Sequence, residues 1–276
     1  MTRTRIQQIF YSAASRAALD PGFEPLDNLA NERPDWREYW PIRRYLLDNA
    51  LEEGCLYGFF SPRFGEKTGL DAAAVHAFVE EHRAQADVIA FSPYFDQSAV
   101  FLNPIEQALA HHPGARATFE QSLELVAPGF DAGSALLSSA NTVFCNFFVA
   151  GAPFWRRWLE RCEILFEVAE RGDSPLAAAL RADVVHGGGP TPAKTFVIER
   201  VVSVILATEP RWRVAVYNPL RLPMSQAPVA RLRTELLVLD ALKLAHGALG
   251  FDEYRLAYLR LRQQMLGAPA SPGTAR

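Results

Sequence analysis

The chain has 276 residues, 49% of them hydrophobic and 21% charged, a balance that excludes whole-chain disorder. At 30.7 kDa, folding removes roughly three quarters of the chain's surface from water, enough for one large core without disulfides or a structural metal. With 28 Lys and Arg against 31 Asp and Glu, the net charge of −3 lacks the basic excess of a general nucleic-acid binder.

No apolar run approaches the ~20 residues of a spanning helix. The start, Met1 to Phe10, has no apolar signal-peptide core. Cys55, Cys145 and Cys162 lie far apart. An odd, sparse count suits a reducing cytoplasm and excludes a four-thiolate zinc site within one chain.

In chain order, residues 6–12 read as a first strand, and Asp20-Pro21-Gly22 as a turn. A helix is expected over 35–49 with Asp35 as N-cap, although Pro41 points to a kink or a later start. Residues 55–60 form a short apolar run ending at Ser61-Pro62, and 87–91 a second ending at Ser92-Pro93. Continuous apolar character fits strands covered on both faces. A helix over 71–85, capped by Asp71, lies between them, as βαβ spacing requires.

Helices are expected at 104–112 and 117–126, a long strand at 142–149 and a helix at 153–171. Gly187 to Pro192 reads as a loop, 193–206 as an apolar helix and 212–217 as a last strand. Two helices, 229–246 and 251–266, carry Arg231, Arg233, Lys243, Arg255, Arg260 and Arg262. They read as a helical appendage that forms a hairpin, a dimer contact or a peripheral contact with an anionic membrane leaflet. Residues 267–276 are rich in Ala, Pro, Ser and Gly and are expected to be disordered.

The sequence holds no P-loop lysine motif, no G-x-S-x-G, no H-E-x-x-H and no C-x-x-C. Gly187-Gly188-Gly189 follows no expected strand and makes a poor dinucleotide site. His111 and His112 are adjacent, so on a helix they diverge and suit a solvated helix end better than a chelate. Cys145, between Phe144 and Phe147, reads as a buried inert thiol.

Several segments in order nevertheless form a pattern: Asp27-Asn28-Leu29-Ala30-Asn31-Glu32; the aromatic Trp36-Arg-Glu-Tyr-Trp40; Tyr57-Gly-Phe-Phe-Ser-Pro-Arg-Phe64; Asn141-Thr-Val-Phe-Cys-Asn-Phe-Phe-Val149; and Lys194-Thr-Phe-Val-Ile-Glu-Arg200. Over about residues 6–220 this order resembles GT-A-type glycosyltransferases of bacterial polysaccharide loci. The order of elements matches better than the individual letters. Where that family has a His-Tyr-Arg-Arg run, this chain has Phe60-Ser61-Pro62-Arg63-Phe64, and no D-x-D triplet is present.

The resemblance implies an α/β fold with a mostly parallel, GT-A-like (Rossmann-like) mixed sheet flanked by helices. The domain would span 1–225, followed by a helical hairpin at 226–266 and the tail. It implies transfer of a sugar from a nucleotide-sugar donor to a glycan or lipid-linked acceptor in surface polysaccharide synthesis, in the cytoplasm or peripheral at the inner membrane. Alternatives are a catalytically inactive relative that binds a sugar nucleotide or glycan and organises a partner, and a different α/β enzyme such as a nucleotidyltransferase or phosphatase.

Such chemistry needs positive charge at a departing diphosphate, from Mn²⁺ or Mg²⁺ or from Arg and Lys, and, for inversion, a carboxylate base. Without D-x-D the metal dependence is open. Ligands of α/β sheets lie outside the carboxyl ends of the strands. Arg63 and Lys67 are therefore assigned to the diphosphate or to a surface pair. Asp96 is assigned to catalysis and a metal, with Gln97 on sugar hydroxyls; an N-cap is the structural alternative for Asp96.

Asn28 and Asn31 would read base or ribose, or form Asx turns, and Tyr11 would stack on the base or fill the core. Asn146, inside an apolar run, needs a partner, either a sugar hydroxyl or backbone. Glu199 is assigned to base catalysis or to an ion pair with Arg200 or Arg63, and Lys194 to substrate or to a paired buried charge. Trp40, with Trp36 and Tyr39, would form a sugar platform or pack a helix.

Overall fold

The computed structural model describes residues 3–186 and 189–267. The chain order is β1 (Thr4–Phe10), α1 (Ala13–Ala17), β2 (Glu24–Asp27), α2 (Tyr39–Asp48), β3 (Leu56–Phe60), α3 (Phe64–Thr68), α4 (Ala72–His82), β4 (Val88–Ala90), α5 (Phe95–Val100), α6 (Pro104–His111) and α7 (Arg116–Val126). Then come β5 (Phe148–Gly151), α8 (Ala152–Arg171), α9 (Pro175–Arg181), β6 (Asp183–His186), β7 (Gly189–Pro192), α10 (Ala193–Thr208), β8 (Val214–Val216), α11 (Arg233–Leu249) and α12 (Asp252–Gly267).

One six-stranded sheet runs in the order β2-β1-β3-β5-β4-β8. Every pairing is parallel except those of β5, which runs antiparallel to both β3 and β4. The expected α/β class with a mostly parallel mixed sheet is therefore present. The two apolar strands with Ser-Pro ends, β3 and β4, point the same way but are separated by β5.

Helices cover both faces, which is why these strands read as unbroken apolar runs. One face packs Ile9, Tyr57, Phe59, Val88, Phe148 and Ala150 against α2, α8 and α10. The other packs Ile6, Phe60, Ile89 and Val149 against Phe64 and the apolar side of α4. Gly58 lies on this second face, where an added Cβ would sit 2.8 Å from Val149 Cγ2, so only glycine lets β3 and β5 approach there.

Several expected elements change. A 3-10 turn at Pro34–Trp36 precedes α2, so Asp35 is not an N-cap. Helix α2 starts at Tyr39 and places Pro41 in its first turn, where its missing N–H costs nothing. Asp71 does cap α4, accepting the Ala74 N–H at 2.8 Å.

The strand expected over 142–149 forms only from Phe148. Cys145 and Asn146 have positive φ (62° and 54°), and the N–H groups of Val143 and Phe144 go to the hydroxyls of Ser203 (2.9 Å) and Ser92 (3.0 Å). Side chains thus took the backbone bonds a ladder would have used. Within the expected loop Gly187 to Pro192, residues 189–192 form β7, paired with β6. Gly187, Gly188 and residues 268–276 of the expected disordered tail lie outside the described residues.

Helices α11 and α12 pack on α5 through Phe95, Ala99, Val100, Leu236, Leu239 and Tyr258. Lys243, 1% exposed, sends its ammonium to the carbonyls of Ser98 (2.6 Å), Leu137 (2.9 Å) and Phe101. Asp240 accepts from the Ser139 N–H and hydroxyl at 2.7 and 2.6 Å, and Arg262 reaches Glu106 at 2.8 Å. The expected appendage is bound to the helices beside the sheet by polar as well as apolar contacts. Among the described residues no helix is long and apolar enough to cross a membrane.

Candidate functional site

The carboxyl ends of the parallel strands, and the N-terminal end of antiparallel β5, open on one edge of the sheet. The chain runs from β1 to β2 on one side and to β3 on the other, so a switch point falls at the end of β1. Three adjoining hollows form a cleft along this edge. The first, about 150 Å³, is lined by Ile9, Tyr11, Asn28, Asn31, Arg37 and Glu38. A central constriction of about 30 Å³ shares Arg37 and Glu38 with it and adds Ser61, Lys67, Asn146 and Glu199. A wider hollow of about 320 Å³ shares Lys67, Cys145 and Glu199 and adds Arg63, Tyr94, Gln97, Gln107 and Arg200. A larger hollow of about 510 Å³, between α6 and α7, gathers no strand ends.

Backbone strain concentrates in this cleft. Among the described residues five non-glycine residues have positive φ: Asn31 (40°), Arg37 (50°), Tyr94 (64°), Cys145 (62°) and Asn146 (54°). All five line it. Each such conformation costs about 1–3 kcal/mol, and such strain gathers at ligand sites. Some of the buried side-chain oxygens without partners among the described residues line it as well: Asn28 Oδ1, Ser61 Oγ and Asn146 Oδ1, on residues 4%, 7% and 8% exposed. Native proteins leave few such groups unpaired unless a ligand or water meets them.

At the constriction, Glu38 and Glu199 share a hollow with Lys67 and Arg37. Burial, and then the charge of Glu199, raise the Glu38 carboxyl above its ordinary range. Glu199 pairs with Arg200 at 2.6 Å. Lys67 donates to Cys145 Sγ at 3.2 Å. Burial alone would lower the Lys67 ammonium, but Cys145 and Glu199 outweigh it and raise it. Burial pushes the Cys145 thiol up to about 11, so it is a neutral, weakly reactive thiol, as its apolar neighbours suggested.

Of the residues assigned from the sequence, Tyr11, Asn28, Asn31, Arg63, Lys67, Gln97, Asn146 and Glu199 line the cleft. Arg63 is exposed and forks onto Glu66 rather than reaching Glu199.

Three assignments are corrected. Asp96 is fully buried; one oxygen accepts the Ser225 N–H at 2.8 Å, the other accepts Gln97 Nε2 at 2.8 Å and the Ser225 hydroxyl. It ties the 225 loop to α5 and faces neither metal nor sugar. It is not an N-cap either, since Tyr94 holds that place. Lys194, 2% exposed, binds Asp35 and Glu170 and lies 4.1 Å from the Trp36 ring centre. Trp40 stacks on Phe166 of α8 beside the Arg33 and Arg43 guanidiniums, while Trp36 and Tyr39 are buried, so these aromatics are packing and not a sugar platform.

Asp96, the residue assigned to a Mn²⁺ or Mg²⁺, does not fit one, since its oxygens are already bonded. Among the described residues no three His, Cys, Asp or Glu side chains gather closely enough to hold a metal ion.

Glu38, Arg37, Tyr94 and Gln107 were not singled out from the sequence. Arg37 and Glu38 sit in the middle of the Trp36-to-Trp40 run and carry no local signal. His112, expected in a solvated helix end, is 5% exposed and packs on Phe196 with ring centres 4.2 Å apart. No family model matches the chain, and no curated protein or solved structure matches it.

Proposed function

We propose that the protein is a glycosyltransferase that moves a sugar from a nucleotide-sugar donor to a glycan or lipid-linked acceptor. The observation that carries this reading is the coincidence, in one cleft at a strand switch point, of the five left-handed non-glycine residues among those described with a carboxyl held above its ordinary range. The hollow at the ends of β1 and β2 takes the nucleoside, with Tyr11 beside the base and the free Asn28 Oδ1 as acceptor. Arg37 and Lys67 face the diphosphate as the anomeric C–O bond breaks and charge develops on it. Glu38 takes the proton of the attacking acceptor hydroxyl, and its raised pKa brings it nearer to neutral pH, where a general base works best.

The binding-only alternative draws on the Glu199–Arg200 pair, which occupies one of the two carboxylates, and on the engagement of Asp96. It leaves Glu38 without a task.

The test is calorimetric titration of the folded protein with UDP, GDP, CDP and CMP, each with and without Mn²⁺. One nucleotide is expected to bind, and Asn28→Ala to weaken it several-fold. Absence of binding by all four, in both conditions, overturns the nucleotide-sugar reading.

A further inference from the structure

We infer that the wide end of the cleft binds an acidic sugar, one bearing a carboxylate or a phosphate, as the second substrate. This rests on the transferase reading above and adds the chemical class of the acceptor. Three cations, Arg63, Lys67 and Arg200, line this hollow against one carboxylate, Glu199. The whole chain has the opposite balance, with acids in excess. The local reversal of sign is a property of this hollow and draws anions to it.

The other lining groups suit a sugar. Gln97 brings its Oε1 as an acceptor, its N–H groups being spent on Asp96 and Ser225, and Gln107 brings N–H donors, its Oε1 already accepting from Arg200. Tyr94 and Phe144 bring aromatic rings. Tyr94 is held at φ 64°, and Gln97 at 7% exposure is fixed by bonds to Asp96 (2.8 Å) and Ser225 (3.0 Å). The volume of about 320 Å³ falls within the roughly 300–1,000 Å³ of ligand pockets.

The three cations divide the work. Arg200 is 7% exposed and spends its N–H groups on the carbonyls of Pro104 and Phe196, on Glu199 and on Gln107. It supplies fixed positive potential. Lys67 belongs equally to the constriction. Arg63 is the gripping residue: its side chain is 60% exposed, and its ion pair is the exposed i,i+3 contact with Glu66. Both side chains of that pair face water, which screens it, so a ligand anion can compete for the guanidinium. The planar guanidinium fits a carboxylate or phosphate through two N–H groups.

The experiment titrates wild type and Arg63→Gln with D-glucuronate, D-glucose 1-phosphate, D-glucose and inorganic phosphate. Arg63 is a surface residue, and circular dichroism verifies that the variant folds. At least one of the two acidic sugars is expected to bind about tenfold or more tightly than glucose, and Arg63→Gln to remove most of that preference, as loss of a charge-assisted hydrogen bond requires. Which acidic sugar binds distinguishes carboxylate from phosphate.

Glucose binding as tightly as both acids, neither acid binding at millimolar concentration, inorganic phosphate matching glucose 1-phosphate while glucuronate fails, or an unchanged preference in Arg63→Gln each overturns the inference. So does a variant that weakens the nucleoside diphosphate instead of the acidic sugar, since the hollow would then serve the donor and the transferase reading would stand. Failure of every nucleotide to bind removes the transferase reading, whatever the sugars do.

Discussion

Replacing Lys243 by methionine tests whether the C-terminal hairpin is structurally part of the wall behind the cleft. The ammonium sits 1% exposed among carbonyls at the end of α5, and α5 carries Gln97. Three close bonds, to Ser98, Phe101 and Leu137, contribute about 2 kcal/mol each because the donor is charged. The desolvation of one ammonium opposes them by several kcal/mol. Methionine keeps most of the volume, so the expected net loss at pH 7 is about 2 kcal/mol.

For a chain of this size that lowers Tm by roughly 4–8 °C, measured by calorimetry. A pH series gives the second readout. Burial lowers the Lys243 pKa to about 7, while the unfolded lysine titrates near 10.4. Between those values the unfolded state holds the extra proton, so wild-type stability rises with pH relative to the variant, by at most about 1.4 kcal/mol per pH unit. Below pH 7 both states are protonated and the gap is constant. A variant within about 0.5 kcal/mol of wild type at pH 7, or a gap that narrows from pH 7 to 10, refutes this account.

Two further outcomes are expected. Arg37 has φ 50° and ψ −135°, a conformation glycine adopts freely, so Arg37→Gly relieves about 1–3 kcal/mol of strain and returns about 0.5–1 kcal/mol in unfolded-state entropy. Its urea midpoint should rise while nucleotide affinity falls, and a lowered midpoint contradicts the strain assignment. Burial would raise the Asp35 carboxyl, but hydrogen bonds from Arg33 and Lys194 outweigh it and hold the pKa at about 2, against 3.8 ordinarily. That stability is present above the ordinary value and lost as pH falls toward 2. With the side chain 36% exposed, screening leaves about 1 kcal/mol of it. Asp35→Asn should flatten acid unfolding between pH 4 and 2; an unchanged acid transition counts against the network.

The fold class was legible because burial writes itself into composition. Strands covered on both faces become apolar runs, as in β3 and β4, and Asp71 marks a helix start through the one N–H it accepts. The failures share a cause. The run from Thr142 to Val149 has strand composition, yet Ser92 and Ser203, distant in sequence, take its N–H groups and hold it as a loop. β2, with alternating exposure at the sheet edge, is too short and polar to stand out.

At the site, Tyr11, Asn28, Arg63, Lys67 and Gln97, all read from loops after strand ends, line one cleft, since the carboxyl edge of a parallel sheet is set by chain direction. Asp96 and Gln97 are neighbours on α5, yet only Gln97 lines the cleft. Glu38 shows the converse: nothing local marks it, and its carboxyl is raised by the burial that the fold imposes and then by Glu199, which α10 brings beside it. The sequence by itself determined the α/β class, the buried strands β3 and β4 and the start of α4, because burial and turn chemistry are local or periodic. The tertiary structure alone decided which charges meet, which are neutralised and where the strain sits, because those depend on contacts between residues far apart in the chain.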